Sequence, residues 1–267
     1  MTIKCTTLKN GIRVLTDERK GAKMVSACMH VNLGSKDEPQ RQAGISHFIE
    51  HMMFRGTKDM NGAALRRAFA NLGIHHGGGT GSDYVDYYMD LLASDLDGGM
   101  NLFAKMLTEA AFDPKEFETE KGVVINEIKR APDDNERKFT HFLFECVYPD
   151  TPVARDGLGT EKIIQNLKPD ELRKYWKKNY TTNKIVFAAR GGVSHIKFVK
   201  LCEKLFNCFT VQFRFLYKML KPCGTRSRQS APKTAIRFPF RNQKNPLPGH
   251  RVTAEERLRD CVCSCVM

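Results

Sequence analysis

Five consecutive residues, His47-Phe48-Ile49-Glu50-His51, carry the chemistry most readily read from this sequence. On a helix, histidines at i and i+4 lie one turn apart on one face, so both imidazoles can reach a single cation. Glu50 projects from nearly the same face, close enough to take a proton from a water activated by that cation. On the pentapeptide alone, an ordinary helix whose polar face carries His and Glu is an equal alternative.

A catalytic Zn²⁺ takes three protein ligands and leaves a further position for water, so a third donor must come from elsewhere. The segment that opens at Asp113-Pro114 offers Glu120 and Glu127. A helix returns residues seven apart to one face, two turns along. One of these carboxylates can ligate the cation while the other supports a ligand histidine. The competing account is a solvated acidic face, since Glu116 and Glu118 are close by, although Val123 and Asn126 make that face less uniformly charged.

The elements that must position these groups follow from local signals. Residues 2–8 and 11–17 alternate about Asn10-Gly11, a hairpin turn, and 24–33 reads as a third strand. Helices are expected at about 44–54 and 62–72, with extended segments at 75–81 and 84–93. Ser94 and Asp97 suggest a capping box for a helix to about 110, and Asp113-Pro114 an N-cap for one to about 130. Helices at 135–147, 160–166 and 169–178, a strand at 184–190 and a helix at 194–206 complete the series. The order predicts an α+β fold, an antiparallel sheet covered by helices on one side, over residues 1–210.

Composition narrows the function classes. The 267 residues are 41% hydrophobic and 27% charged, with a net charge of +13. Residues 211–267 hold 12 of the basic residues, only 3 of the acidic ones and five of eleven prolines. They are expected to form a disordered tail. The body carries no aromatic-interleaved basic stripe, which argues against nucleic acid as a partner. No apolar run is long enough to span a membrane. Nine cysteines, six scattered singly and three crowded at Cys261, Cys263 and Cys265, do not make a disulfide framework, and the first residues lack a signal-peptide core or an organelle presequence, so a bacterial-type cytoplasmic location is expected.

Several stretches together resemble the pitrilysin and insulin-degrading enzyme family of zinc peptidases, the inverzincins, including mitochondrial processing peptidases and their bacterial relatives. They are L-K-N-G-I-R-V-L, G-S-K-D-E-P, H-F-I-E-H-M-M-F-R-G-T, T-G-S-D-Y-V-D-Y-Y, E-T-E-K-G-V-V-I-N-E-I-K-R and D-G-L-G-T-E-K-I-I-Q-N-L. The likeness runs from about Ile3 to Phe206. In the family the third ligand follows the second histidine by about 76 positions, which implies Glu127 here, with Glu120 as its supporting glutamate.

The resemblance implies a zinc metalloendopeptidase in which His47, His51 and Glu127 hold Zn²⁺ and Glu50 handles the proton. It also implies a peptide or protein substrate bound in extended form along an edge strand, here Gly77, Gly78, Gly79 and Thr80. Two features depart from the family pattern. Glycines replace Asn-Ala at 77–78, which loosens that strand. The match also ends before the second domain of similar fold, so a second domain of that type, or a homo- or hetero-oligomer, is implied as a partner. The readings that stay open beside an active peptidase are a zinc- and peptide-binding fragment without turnover and a structural subunit of the same fold. His75 and His76 are read as strand-end residues rather than ligands.

Overall fold

The turn at Asn10-Gly11 closes a hairpin between β1 (Ile3–Thr7) and β2 (Arg13–Glu18), with Thr7 opposite Arg13. Gly11 adopts φ +93°, and Asn10 Oδ1 accepts a hydrogen bond from the Ile12 N–H at 3.2 Å. These features belong to a computed structural model that describes residues 3–207. The expected tail, 211–267, lies outside the described residues.

With β3 (Met24–Val31), β4 (His75–Thr80), β5 (Val85–Leu92) and β6 (Ile185–Gly191), the strands form one six-stranded sheet of order β1-β2-β6-β3-β5-β4. The α+β class stands, but the sheet is mixed rather than wholly antiparallel, because β2 and β6 run parallel from Arg13↔Val186 to Glu18↔Gly191. The reason is topological. β2 and β3 run in opposite directions on either side of a slot one strand wide, and any strand that fills the slot must be parallel to one of them. β6 fills it, antiparallel to β3. Its near-continuous apolar run, Ile185 to Ala189, suits a strand at the sheet centre, and all five residues are buried.

Between β3 and β4 come α1 (Ile45–Met53) and α2 (Gly62–Asn71). After β5 follow α3 (Leu96–Thr108), α4 (Pro114–Arg130), α5 (Asn135–Val147), α6 (Glu161–Asn166) and α7 (Pro169–Asn179), and after β6 comes α8 (His195–Leu205). Asp113 caps α4 as expected, accepting from Lys115 N and Glu116 N at 2.9 and 3.0 Å. The capping box at Ser94 does not form. A short 3-10 turn, Ala93–Asp95, precedes α3, and Ser94 Oγ donates to Asp95 Oδ2 instead. No helix among the described residues is long and apolar enough to cross a membrane.

The core lies between one sheet face and the helices. Along β5, Val85, Tyr87, Met89 and Leu91 are buried and alternate with half-buried Asp86, Tyr88 and Asp90. α1 packs on the buried side against β4 and β5, and α4 packs against α1 with the Phe48 and Phe117 rings stacked at 4.8 Å. That contact sets the register between the two helices that carry the candidate ligands.

The start of α1 is fixed by a close backbone approach. Gly44 precedes the helix in the left-handed region at φ +89°, and a Cβ there would lie 2.3 Å from the Leu158 carbonyl oxygen. Gly159, at φ +75°, meets the same loop from the other side, its would-be Cβ 2.2 Å from Ala43 O. Gly44→Ala combines a left-handed non-glycine residue with a backbone clash. It should cost roughly 2–4 kcal/mol in a denaturant titration of the full chain, whereas Gly21→Ala, strained in φ but sterically open, should cost about 1 kcal/mol.

Candidate metal centre

α1 is buried almost all round, with Phe48, Ile49, Met52 and Met53 in the core and His47, Glu50 and His51 directed to one side. On α4 the residues Phe117, Glu120 and Val124 form the inward stripe, and Glu127 extends it toward the cleft. Glu120 is thus no part of a solvated acidic face, since its side chain is only 2% exposed. Glu127 reaches solvent, with 44% of its side chain accessible.

The structure brings His47, His51 and Glu127 to one point. The two histidine Nε2 atoms lie 3.1 Å apart, and Glu127 Oε2 is 3.6 Å from His47 Nε2 and 3.7 Å from His51 Nε2. One donor atom from each residue falls within 4.8 Å of the others, the only such group of His, Cys, Asp or Glu among the described residues. His51 Nδ1 faces Glu120 Oε1 at 2.7 Å, so a neutral ring donates there and turns its Nε2 lone pair inward. Two imidazole nitrogens and a carboxylate oxygen converging in this way fit Zn²⁺ in donor type and number.

Electrostatics divides the two histidines. Burial, reinforced by His51 and Arg137, pushes the His47 pKa down to about 3 and keeps that ring neutral. Burial acts the same way on His51, but the Glu120 hydrogen bond and the charges of Glu50, Glu120 and Glu127 overcome it and raise its pKa. Glu120 itself is held below the ordinary carboxylate range. Burial disfavours its anion, yet the hydrogen bonds from His51 and Arg55 outweigh that cost.

Glu50 stands beside this group with one oxygen fixed, since Thr80 Oγ1 donates to its Oε2 at 2.9 Å. Burial raises its pKa against that hydrogen bond and the neighbouring His51. The glycines expected to line the substrate do occupy the sheet edge in β4, and they face alternate sides. A Cβ on Gly78 would lie 3.0 Å from Glu50 Cγ, whereas one on Gly77 would lie 2.5 Å from the Tyr88 hydroxyl and one on Gly79 3.1 Å from Asp86 Oδ1. β4 forms one wall of an open cleft of about 680 Å³, and α5 supplies another through Arg137, Thr140, His141 and Phe144. His75 is exposed at the start of β4, and His76 stacks on Phe69 at 4.1 Å, so neither joins the ligand group.

Two residues of this centre escape a reading of the sequence. Arg55 pairs with Glu120 Oε2. Glu38, buried in the loop before α1, takes the place of a helix cap, its two carboxylate oxygens accepting from Gly44 N and Ser46 N, each at 2.7 Å. The signal for Arg55 was its position four residues after His51. Glu38 sits six residues ahead of the helix cap, outside any local capping spacing, and had none.

Comparisons with known proteins follow the same outline. Residues 13–161 match the family model described as insulinase (peptidase family M16). The probable mitochondrial-processing peptidase subunit beta of Arabidopsis thaliana is 29% identical over 204 residues, covering 76% of this chain and 38% of that protein. An uncharacterized zinc protease of Bacillus subtilis is 30% identical over 207 residues, 78% of this chain and 50% of that protein. A solved peptidase M16 inactive domain from Pseudomonas fluorescens superposes with a TM-score of 0.71 at 18% identity, covering 77% of this chain and 50% of that one, a likeness of fold. The chain therefore spans half or less of the length of these proteins.

Burial pushes the Glu38 carboxyl up to about 7, against its bonds from Ser46 and Gly44. A carboxyl raised on folding stabilises the fold fully below its ordinary value of 4.5, and the contribution is lost as pH rises through about 7. Glu38→Gln removes this titration. The stability of the parent chain relative to that variant should fall by on the order of 2 kcal/mol between pH 5 and pH 8 in parallel urea titrations.

Proposed function

The chain belongs to the insulinase family, peptidase family M16, and from that premise we propose that it is the metal-bearing portion of a zinc metalloendopeptidase. The observation that carries this reading is the convergence of His47, His51 and Glu127, with Glu50 alongside and the edge strand β4 within the same cleft. His47, His51 and Glu127 are the residues that would hold Zn²⁺. Bound there, the ion would supply Lewis acidity toward the attacking water and the scissile carbonyl.

The remaining work falls to side chains of this chain. Glu50 accepts the proton of the attacking water and passes it to the leaving amine. Its raised pKa brings it nearer neutrality, where a group that must both take and give a proton works best. Thr80 holds Oε2, which leaves Oε1 as the proton-handling oxygen. β4, as the last strand of the sheet, has unpaired backbone groups that an extended peptide can bond, and Gly78, which faces Glu50, lets such a peptide lie close to it.

A second reading, zinc and peptide binding without turnover, is favoured by one specific observation: the cleft is open, and Glu127 on its rim reaches solvent. A second domain or partner subunit that closes the cleft is part of the proposal for the active form. Metal analysis with peptide hydrolysis on the purified chain separates the readings. About one zinc per chain is expected, lost in Glu127→Ala, together with hydrolysis that falls by about 10²–10⁴ in Glu50→Gln while zinc is retained. Zinc without hydrolysis in either protein supports the binding fragment, and a chain that takes up no zinc overturns both.

A further inference from the structure

Among the described residues, Arg55 is the one Lys or Arg paired with Glu120, the carboxylate that meets the His51 ring, and its setting is well defined. It follows the end of α1, where its N–H donates to Met52 O at 3.1 Å. The turn beyond it is closed by a bridge between Gly56 and Asn61 and by the Thr57 N–H to Met60 O at 2.7 Å. Gly62 packs on the Arg55 backbone so closely that a Cβ there would lie 3.1 Å from Arg55 O. The backbone that carries the guanidinium is therefore held from both sides, and the side chain is only 28% exposed.

From this anchored position Nη2 pairs with Glu120 Oε2, while Glu120 Oε1 meets His51 Nδ1 at 2.7 Å. Each carboxylate oxygen has its own partner, on opposite sides, so the group cannot turn about its Cγ–Cδ bond without breaking both interactions. A side chain 2% exposed also has almost no water with which to replace a lost partner. His47 offers no parallel support, because its buried Nδ1 makes no hydrogen bond among the described residues. Orientation of the ligand pair thus rests on one side, through His51.

Building on the zinc-site reading above, we propose that Arg55 is a positioning residue for the metal centre, acting through Glu120 to fix the ring orientation and tautomer of His51. Without the guanidinium, Glu120 is held at one oxygen by a single N–H, and the carboxylate and the His51 ring can rotate together. What Arg55 supplies at Oε2 is a positive charge in an ion pair. Lysine keeps the charge, and glutamine keeps an N–H donor without it.

The test uses the full chain with Arg55→Gln and Arg55→Lys, and three measurements: zinc affinity by chelator competition, the tautomer of His51 by ¹⁵N NMR of the metal-free protein, and thermal stability. Arg55→Gln should weaken zinc binding by about 10–100-fold and convert His51 from one tautomer to a mixture. Arg55→Lys should stay within about threefold of the parent with the single tautomer retained. Parent-like affinity and tautomer in both variants would overturn the proposal, as would equal losses in both that follow the loss of thermal stability. If the parent chain binds no zinc, the zinc-site reading fails, and the tautomer comparison in metal-free protein still decides the role of Arg55.

Discussion

Burying a carboxylate costs several kcal/mol unless its charge and lone pairs are met, and Glu120 is buried to within 2% of its side-chain surface. The fold meets that cost with two partners that both follow from α1, His51 on its last turn and Arg55 just beyond its end. α4 is consequently tied to α1 by an ionic contact at one level and by the Phe48–Phe117 stack at another. Two fixed contacts along a helix leave it no freedom to slide or rotate. Glu127, seven residues beyond Glu120 on the same helix, is carried to the mouth of the cleft, where it meets both histidines while staying open to solvent. The burial of Glu120 is thus one of the contacts on which the geometry of the centre depends.

The residues that act through helical spacing were readable in advance. His47, Glu50 and His51 within one turn, and Glu120 and Glu127 at seven, need only the period of a helix to be placed together, and the structure places them so. Strands with strong turn signals between them were readable for the same reason, as with β1 and β2 about Asn10-Gly11. Residues whose partners depend on tertiary closure were not. Glu38 bonds backbone groups six and eight residues away through a loop with no regular period. β6 enters the sheet parallel to β2 after more than 160 residues, and no local pattern encodes which gap it fills. The Ser94 signal failed because a 3-10 turn used up the residues that a capping box needed.

The triple glycine in β4 looks at first like a weakness, since glycine lowers strand stability and leaves nothing to pack. Its register gives each position a distinct setting. Tyr88, directly across from Gly77, occupies the space that a side chain there would take, and covers the strand from the neighbouring one. Gly78 turns to the opposite side and leaves Glu50 the room that even a methyl group would contest. Thr80, read from sequence as part of the substrate wall, donates to Glu50 in the structure. The edge strand therefore also forms part of the surroundings of Glu50, so a change in β4 would be felt there.

Openness sets the remaining constraint on chemistry. The cleft is an open space bounded by β4, α1 and α5, and Glu127 on its rim is nearly half exposed. Water in such a space raises the effective dielectric and weakens the charge–charge terms on which bond polarisation depends. The shifts at His47 and Glu50, by contrast, arise first from burial. Binding a cation asks for the converging ligands, which α1 and α4 supply between them. Hydrolysis, on the proposed reading, asks also for exclusion of bulk water from a cleft that is open to solvent at Glu127. On that reading the two demands fall on different parts of the architecture, ligand convergence on α1 and α4 and water exclusion on whatever covers the open side of the cleft.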